Sequence, residues 1–161
     1  MRAAHGGEGA YEKLARGETF VDDFSATLQR LPHVGPMLFI DRIVSVQDPM
    51  IETETTFRAD FIMARGEHIS PLVAIELFAQ SAAALMAHRS AVANAPKVSG
   101  ALLGTRKLDV HVTEFRVGET VRTRAREIFG AGALAQFECK LFRGDTLAAE
   151  GSINVAAGAI G

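Results

Sequence analysis

One segment constrains the fold of this chain more than any other. The stretch PLVAIELFAQSAAALMA, residues 71–87, is apolar on nearly every side when it is drawn as a helix. Ser70 and Pro71 are typical of a helix start, because serine can cap the first N–H groups and proline fits the first turn. The helix is predicted to run to about Ser90. Since it has no polar side to turn toward water, the rest of the chain must wrap around it.

The same helix contains one carboxylate, Glu76, and no lysine, arginine or histidine lies within one turn to neutralise it. The stretch is short for a bilayer, and Glu76 and Gln80 are both costly at mid-membrane depth, so the sequence favours a buried helix of a soluble protein over a membrane span. A buried carboxylate without a partner is destabilising unless something uses it. Glu76 is therefore the first candidate functional residue. The alternative is a structural acid that bonds Gln80 or a backbone group.

Strand patterns lie on both sides of the predicted helix. Ile51, Thr53 and Thr55 alternate with polar residues, which is typical of a strand with one buried face. We expect five or six such strands to form one antiparallel sheet with an apolar face. A curved sheet rolled around a long helix is the hot-dog architecture, an α+β fold, although other α+β sandwiches satisfy the same pattern. The predicted strands cover residues 37–46, 50–58, 107–112, 121–129, 133–142 and 146–155.

Composition limits the number of domains and the class of partner. With 161 residues, 48% hydrophobic and 22% charged, the chain is expected to form one domain over residues 26–158, preceded by a polar, disordered arm over residues 1–25. A net charge of −2 gives no attraction to nucleic acid or to an anionic membrane. The single cysteine, Cys139, excludes an internal disulfide, suits a cytoplasmic location and alternates inward with core residues. No metal-ligand pair or phosphate-binding loop is present, so no cofactor is expected.

Three stretches resemble one family, the bacterial 3-hydroxyacyl-acyl-carrier-protein dehydratases. LPHVGPMLFIDRIVSV (31–46) resembles their entry segment, AIELFAQSAA (74–83) their central helix, and GALLGTRKLDVHVTEFRVGET (100–120) the strand that leads to their glycine-acid turn. The resemblance covers roughly residues 31–156 and is greatest to the dehydratase-like proteins of aryl-polyene gene clusters. It implies a hot-dog fold, an acyl tunnel built by a homodimer or a hot-dog heterodimer, and no metal or organic cofactor.

The resemblance also implies an acid and a base. Glu76 stands where the family has an acid that protonates the departing hydroxyl of a 3-hydroxyacyl thioester, while a histidine removes the α-proton. The family's histidine precedes the acid by about fourteen residues, where this chain has Ile62. His68, just ahead of the helix, is the predicted base, and its alternative is a solvated surface residue. His33 is the second candidate and is otherwise expected to stabilise a turn.

The start of the helix departs from the family in a second way. Where the family has a glycine whose N–H polarises the thioester carbonyl, this chain has Pro71, which has no N–H to donate. The free N–H groups of Leu72 or Val73 are expected to replace it. The predicted substrate-binding residues are His33, Pro71, Leu72 and Gln80, and the residues predicted to dock an acidic acyl carrier protein are Arg106, Lys107 and Arg116.

These observations predict an enzyme that eliminates water from a 3-hydroxyacyl thioester held on an acyl carrier protein. Two alternatives stay open at this point. One is a catalytically weak subunit that binds the acyl carrier and pairs with an active hot-dog chain, as the missing histidine and Pro71 would suggest. The other is a thioesterase on the same fold. The sequence does not fix the length of the acyl chain or the pathway.

Overall fold

The computed structural model describes residues 23–159. The helices are α1 (Ser25–Leu28) and α2 (Val73–Val92), with a 3-10 turn at Gly35–Met37 between α1 and the first strand. In chain order, the strands are β1 (Arg42–Gln47), β2 (Met50–Thr56), β3 (Ala64–Arg65), β4 (His68–Ile69), β5 (Val98–Val110), β6 (Phe115–Arg116), β7 (Thr120–Ala131), β8 (Leu134–Arg143) and β9 (Thr146–Ala159). The predicted N-terminal arm lies almost wholly outside the described residues.

Six strands form one antiparallel sheet in the order β1-β2-β7-β8-β9-β5. The long helix α2 packs across this sheet and contacts β2, β5, β7, β8 and β9. A smaller sheet, β3-β4-β6, lies beside it. The predicted hot-dog architecture is therefore confirmed. Strand β5 directly follows helix α2 in the chain, but it forms one edge of the sheet, beside β9. The edge next to the site is therefore made by β5 and β9.

The core lies between α2 and the inner face of the sheet. Ile51, Thr53 and Thr55 all point inward and are buried, as the alternation predicts. Cys139 is buried in the same layer, and its burial raises the pKa of the thiol. The hydroxyl of Thr53 forms a hydrogen bond of 2.8 Å with Ser81 of α2, so this polar pair joins helix and sheet without leaving a buried group unpaired.

Helix α2 is surrounded as the sequence requires. Fully buried side chains occur along its length, including Val73, Leu77, Phe78 and Leu85. The helix begins two residues after Pro71 and ends two residues after Ser90, so the predicted limits are close. Within the described part of the chain, no helix is long and apolar enough to cross a membrane.

Arg89 joins the end of α2 to the sheet. Its Nε and Nη2 atoms donate to the two carboxylate oxygens of Asp48 at 2.7 and 2.6 Å, and its Nη1 donates to Glu127 at 2.6 Å. These bonds lower the pKa of Asp48 and raise that of Arg89. We name this cluster the Arg89 clamp, because it fixes the helix end against the β1–β2 turn and β7.

Several predicted strand limits differ from the structure, and two of them differ most. Residues 37–41 are not part of β1, because the backbone there bends through the turn at Gly35–Met37 and is held by a helix side chain. Strand β5 begins at Val98 rather than Lys107. Its first half is rich in small residues and shows no alternation, but pairing with β9 keeps it extended, from Val98 opposite Ala159 onward.

Candidate functional site

Glu76 contacts Gln80, as one alternative from the sequence expected, and also a histidine that the helix sequence did not reveal. Its Oε1 atom accepts a hydrogen bond of 2.9 Å from Gln80 and lies 3.4 Å from Nε2 of His33. One-third of its side chain (33%) is exposed. The expectation of a fully buried and unpartnered carboxylate is therefore wrong. The partner histidine comes from the turn before β1, and no local spacing within the helix could have indicated it.

Gln80 fixes the position of this carboxylate. It is fully buried, and its amide is bonded at both ends: Oε1 accepts the Phe39 N–H at 2.8 Å, while Nε2 donates to the Met37 carbonyl at 2.8 Å and to Glu76. Because both ends are occupied, the amide has one favourable orientation. Gln80 thus ties the 37–39 segment to α2 and holds Oε1 of Glu76 on the side of His33. Its predicted contact with substrate stays a prediction.

A pocket of about 180 Å³ opens beside the histidine and the carboxylate. It lies between α2 and the edge of the sheet formed by β5 and β9. Apart from His33 and Glu76, its lining is apolar: Pro32, Ala79, Ala83, Met86, Gly100, Ala101, Leu102 and Val155. Such a slot can hold a hydrocarbon chain whose reactive end reaches the two polar side chains.

His33 presents one nitrogen to this pocket. Its side chain is 26% exposed, and its Nε2 faces Glu76. Its Nδ1 is buried and has no hydrogen-bond partner among residues 23–159. The accessible nitrogen of the imidazole is therefore Nε2. The sequence named His33 only as the second candidate for the base, because its distance from Glu76 along the chain gives no sign that the two side chains meet.

His68 lies in a different place. It belongs to β4 of the small sheet, where it pairs with Arg116, and its Nδ1 is 2.5 Å from Oε2 of Glu114. This hydrogen bond lowers the pKa of Glu114. His68 is more than half exposed and does not line the pocket at Glu76. Within one chain, the structure therefore brings His33, and not His68, to Glu76; a catalytic role for His68 stays a prediction.

The N–H groups at the start of α2 are occupied. The Val73 N–H donates to the Ser70 carbonyl at 3.1 Å, and the Leu72 N–H donates to the Ser70 hydroxyl at 3.3 Å. The expectation of free donors next to Pro71 is therefore wrong, because Ser70 supplies two acceptors. The Leu72 bond is the longer of the two and is exposed, so it is the one that a ligand could replace with least loss.

The predicted docking residues are spread over two elements. Arg106 and Lys107 are exposed on β5, and Lys107 forms an ion pair of 2.8 Å with Asp109. Arg116 lies in the small sheet and pairs with Glu114 at 3.1 Å. Two arginines of β7, Arg122 and Arg124, form ion pairs with Glu52 of β2. These pairs lie on the outer face of the sheet, where both arginines are exposed to solvent.

The fold and the site together define a hot-dog protein with a histidine and a carboxylate beside an apolar pocket. The family model described as "ApeP-like: ApeP dehydratase" matches residues 26–159, so the chain belongs to the ApeP-like dehydratase family. The resemblance to dehydratases of the aryl-polyene type is thereby confirmed. A search of curated proteins gave no match.

Solved structures share the fold at low sequence identity. The dehydratase heterocomplex ApeI:P from Xenorhabdus doucetiae matches with a TM-score of 0.77 and 21% identity, over 81% of this chain and 90% of that chain. Cj0977, a sigma28-regulated virulence protein from Campylobacter jejuni, matches at 0.65 and 12%, over 86% and 92%. A hypothetical thioesterase with coenzyme A from Streptococcus pneumoniae matches at 0.57 and 6%, over 73% and 85%.

Proposed function

We propose that this chain dehydrates a 3-hydroxyacyl thioester carried on an acyl carrier protein, with His33 as the base and Glu76 as the acid. The observation that carries the proposal is the distance of 3.4 Å between His33 Nε2 and Glu76 Oε1 at the polar end of an apolar pocket. Membership of a dehydratase family supports the reaction class. His33 takes the role predicted for His68, because His33 lies beside the acid within the chain.

The reaction needs one proton removed and one supplied. Neutral His33 takes the proton from C2 of the acyl chain, and the C–H electron pair becomes the C2–C3 double bond. Protonated Glu76 gives its proton to the C3 hydroxyl, which leaves as water with the C–O electron pair. The products are an imidazolium and a carboxylate only 3.4 Å apart. A proton can then pass from Nε2 to the carboxylate, so the pair returns to its starting state without an added cofactor.

The surrounding residues would assist this exchange. The hydrogen bond from Gln80 to Oε1 stabilises the Glu76 carboxylate as it forms and leaves Oε2 to carry the proton to the substrate. The Leu72 N–H, next to Pro71, is the donor that could turn to the thioester carbonyl. Exposed Arg106 and Lys107 lie on the same strand as the pocket wall, where they can attract an acidic carrier, and Arg116 would extend that surface.

The test is turnover of 3-hydroxyacyl carrier substrates, followed by mass spectrometry as loss of water from the acyl group. Glu76→Gln and His33→Ala are expected to lower the rate by about 10²–10⁴-fold, the range for removing a general acid or base. His68→Ala is the matched control and should retain activity. Full turnover by Glu76→Gln would refute the assignment. If only His68→Ala loses activity, the base is His68 in the small sheet. Release of free acid would mean that the reaction is thioester hydrolysis and not dehydration.

A second candidate is a subunit that works only together with another hot-dog chain. It is favoured by the match to a protein described as a heterocomplex and by the exposed edge of β5, where Leu102 and Leu103 are 40% and 58% exposed. In that case the chain alone is inactive, and activity appears when it is co-purified with its partner. Glu76→Gln in the complex then decides whether this chain supplies the acid. Full activity of the chain alone as a homodimer would exclude this candidate.

A further inference from the structure

The apolar pocket follows one face of α2. Glu76, Ala79, Ala83 and Met86 line it at spacings of three, four and three residues, which places them in one row along the helix. Ten residues of α-helix rise about 15 Å. The pocket therefore has a direction: the reactive carboxylate stands at one end of the row and Met86 at the other.

Within this row of α2, the side chains between the two ends are small. Ala79 and Ala83 project little from the helix, and Gly100 and Ala101 face them from β5. Space for a hydrocarbon chain exists along this part because these residues leave it open. Met86 is the first long side chain after Glu76 in the row. It lines the pocket and is partly buried against the core, so a longer chain that follows this row would meet its side chain.

We propose that Met86 sets the length of the acyl chain that this protein accepts. The inference rests on the proposed function, because it takes the pocket as the acyl site. A chain that ends before Met86 gains affinity with every methylene placed against the apolar lining, by about fourfold each. A longer chain meets the methionine and gains nothing further.

The experiment measures binding rather than turnover. Saturated, unbranched S-acyl pantetheine thioesters of increasing length are titrated by calorimetry into the purified protein in its native assembly. Since their acyl chains carry no hydroxyl group at C3, dehydration does not consume them. For the unaltered protein, affinity should rise with chain length and then level off. Met86→Ala should move the levelling point to longer chains, while Met86→Phe and Ala83→Leu should move it to shorter ones.

A matched control is Met63→Ala, which removes the same side chain at a position 41% exposed and outside the pocket. It should leave the levelling point unchanged. Opposite shifts from smaller and larger side chains cannot arise from a general loss of stability, which thermal unfolding of each variant also checks. If affinity rises with length but the levelling point stays fixed in Met86→Ala, Met86 is not the limit and the proposed function stands. If affinity does not depend on length at all, the pocket does not bind the acyl chain and both proposals fail.

Discussion

Replacing Gln80 with leucine should lower the free energy of unfolding by about 2–3 kcal/mol. Leucine fills a similar volume, so the change leaves little cavity and removes mainly hydrogen bonds. The Phe39 N–H loses its acceptor in a buried position, and a buried donor left without a partner costs about 1–3 kcal/mol. Met37 and Glu76 are partly exposed, so water can replace their bonds to the amide at a smaller loss. The expected loss of about 2–3 kcal/mol is a large fraction of the free energy of unfolding of a typical domain, which is about 5–15 kcal/mol.

Urea unfolding followed by circular dichroism measures this change. For a chain of this size, a loss of about 2–3 kcal/mol corresponds to a fall in Tm of about 4–12 °C. The matched control is Gln136→Leu, the same substitution on the outer side of β8, which should stay within about 0.5 kcal/mol of the unaltered protein. If Gln80→Leu unfolds at the same urea concentration as Gln136→Leu, the amide does not hold the 37–39 segment and the description of the site is wrong.

Three further outcomes follow from the clamp, the sheet and the thiol. Hydrogen bonds from Arg89 hold the pKa of Asp48 below its ordinary value of 3.8, so their contribution is present above that pH and is lost as the pH falls below it. In Asp48→Asn, the free energy of unfolding should therefore fall less between neutral and acidic pH than it does in the unaltered protein. Urea unfolding at both pH values measures this difference, and an equal fall in the two proteins would contradict the Arg89 clamp. In Gly151→Ala, the added Cβ would lie 2.2 Å from a carbonyl oxygen of β5, so the free energy of unfolding should fall by about 1–3 kcal/mol. Gly104→Ala has nothing within 4 Å and should leave thermal unfolding nearly unchanged; equal stability of the two variants would refute the contact. Cys139 is buried, so a thiol reagent should modify it only as the chain unfolds, and rapid labelling of the native protein would contradict its position.

The periodicity of apolar residues predicted most of the architecture, because a buried face imposes a regular spacing on the residues that form it. A helix with no polar side must be enclosed, and the two-residue alternation of β2, β7 and β8 follows from sheets with one face in the core. The strand limits were less accurate where burial is weak. Strand β5 is an edge strand with many small residues, and pairing with β9 rather than its own pattern keeps it extended. The strands of the small sheet have two residues each, too few for a period to be recognised.

The site was harder to predict because it depends on contacts between distant segments. Glu76 could be identified from its own surroundings in the sequence, as a carboxylate on an apolar helix. His33 could not be joined to it, because their approach requires the turn before β1 to be bonded to Gln80. The position of His68 is set by pairing with β6, which the sequence did not indicate. A base therefore cannot be chosen by its distance from the acid along the chain alone.

The order of the strands also determines when the pocket can exist. The wall at Gly100–Leu102 belongs to β5, and β5 is held by β9, which follows α2, β5, β7 and β8 in the chain and therefore leaves the ribosome after them. During synthesis, the helix that carries Glu76 emerges well before its opposite wall can be fixed. Any nascent or C-terminally shortened chain that lacks residues 146–159 would thus keep the carboxylate but have no walled cavity in which to use it.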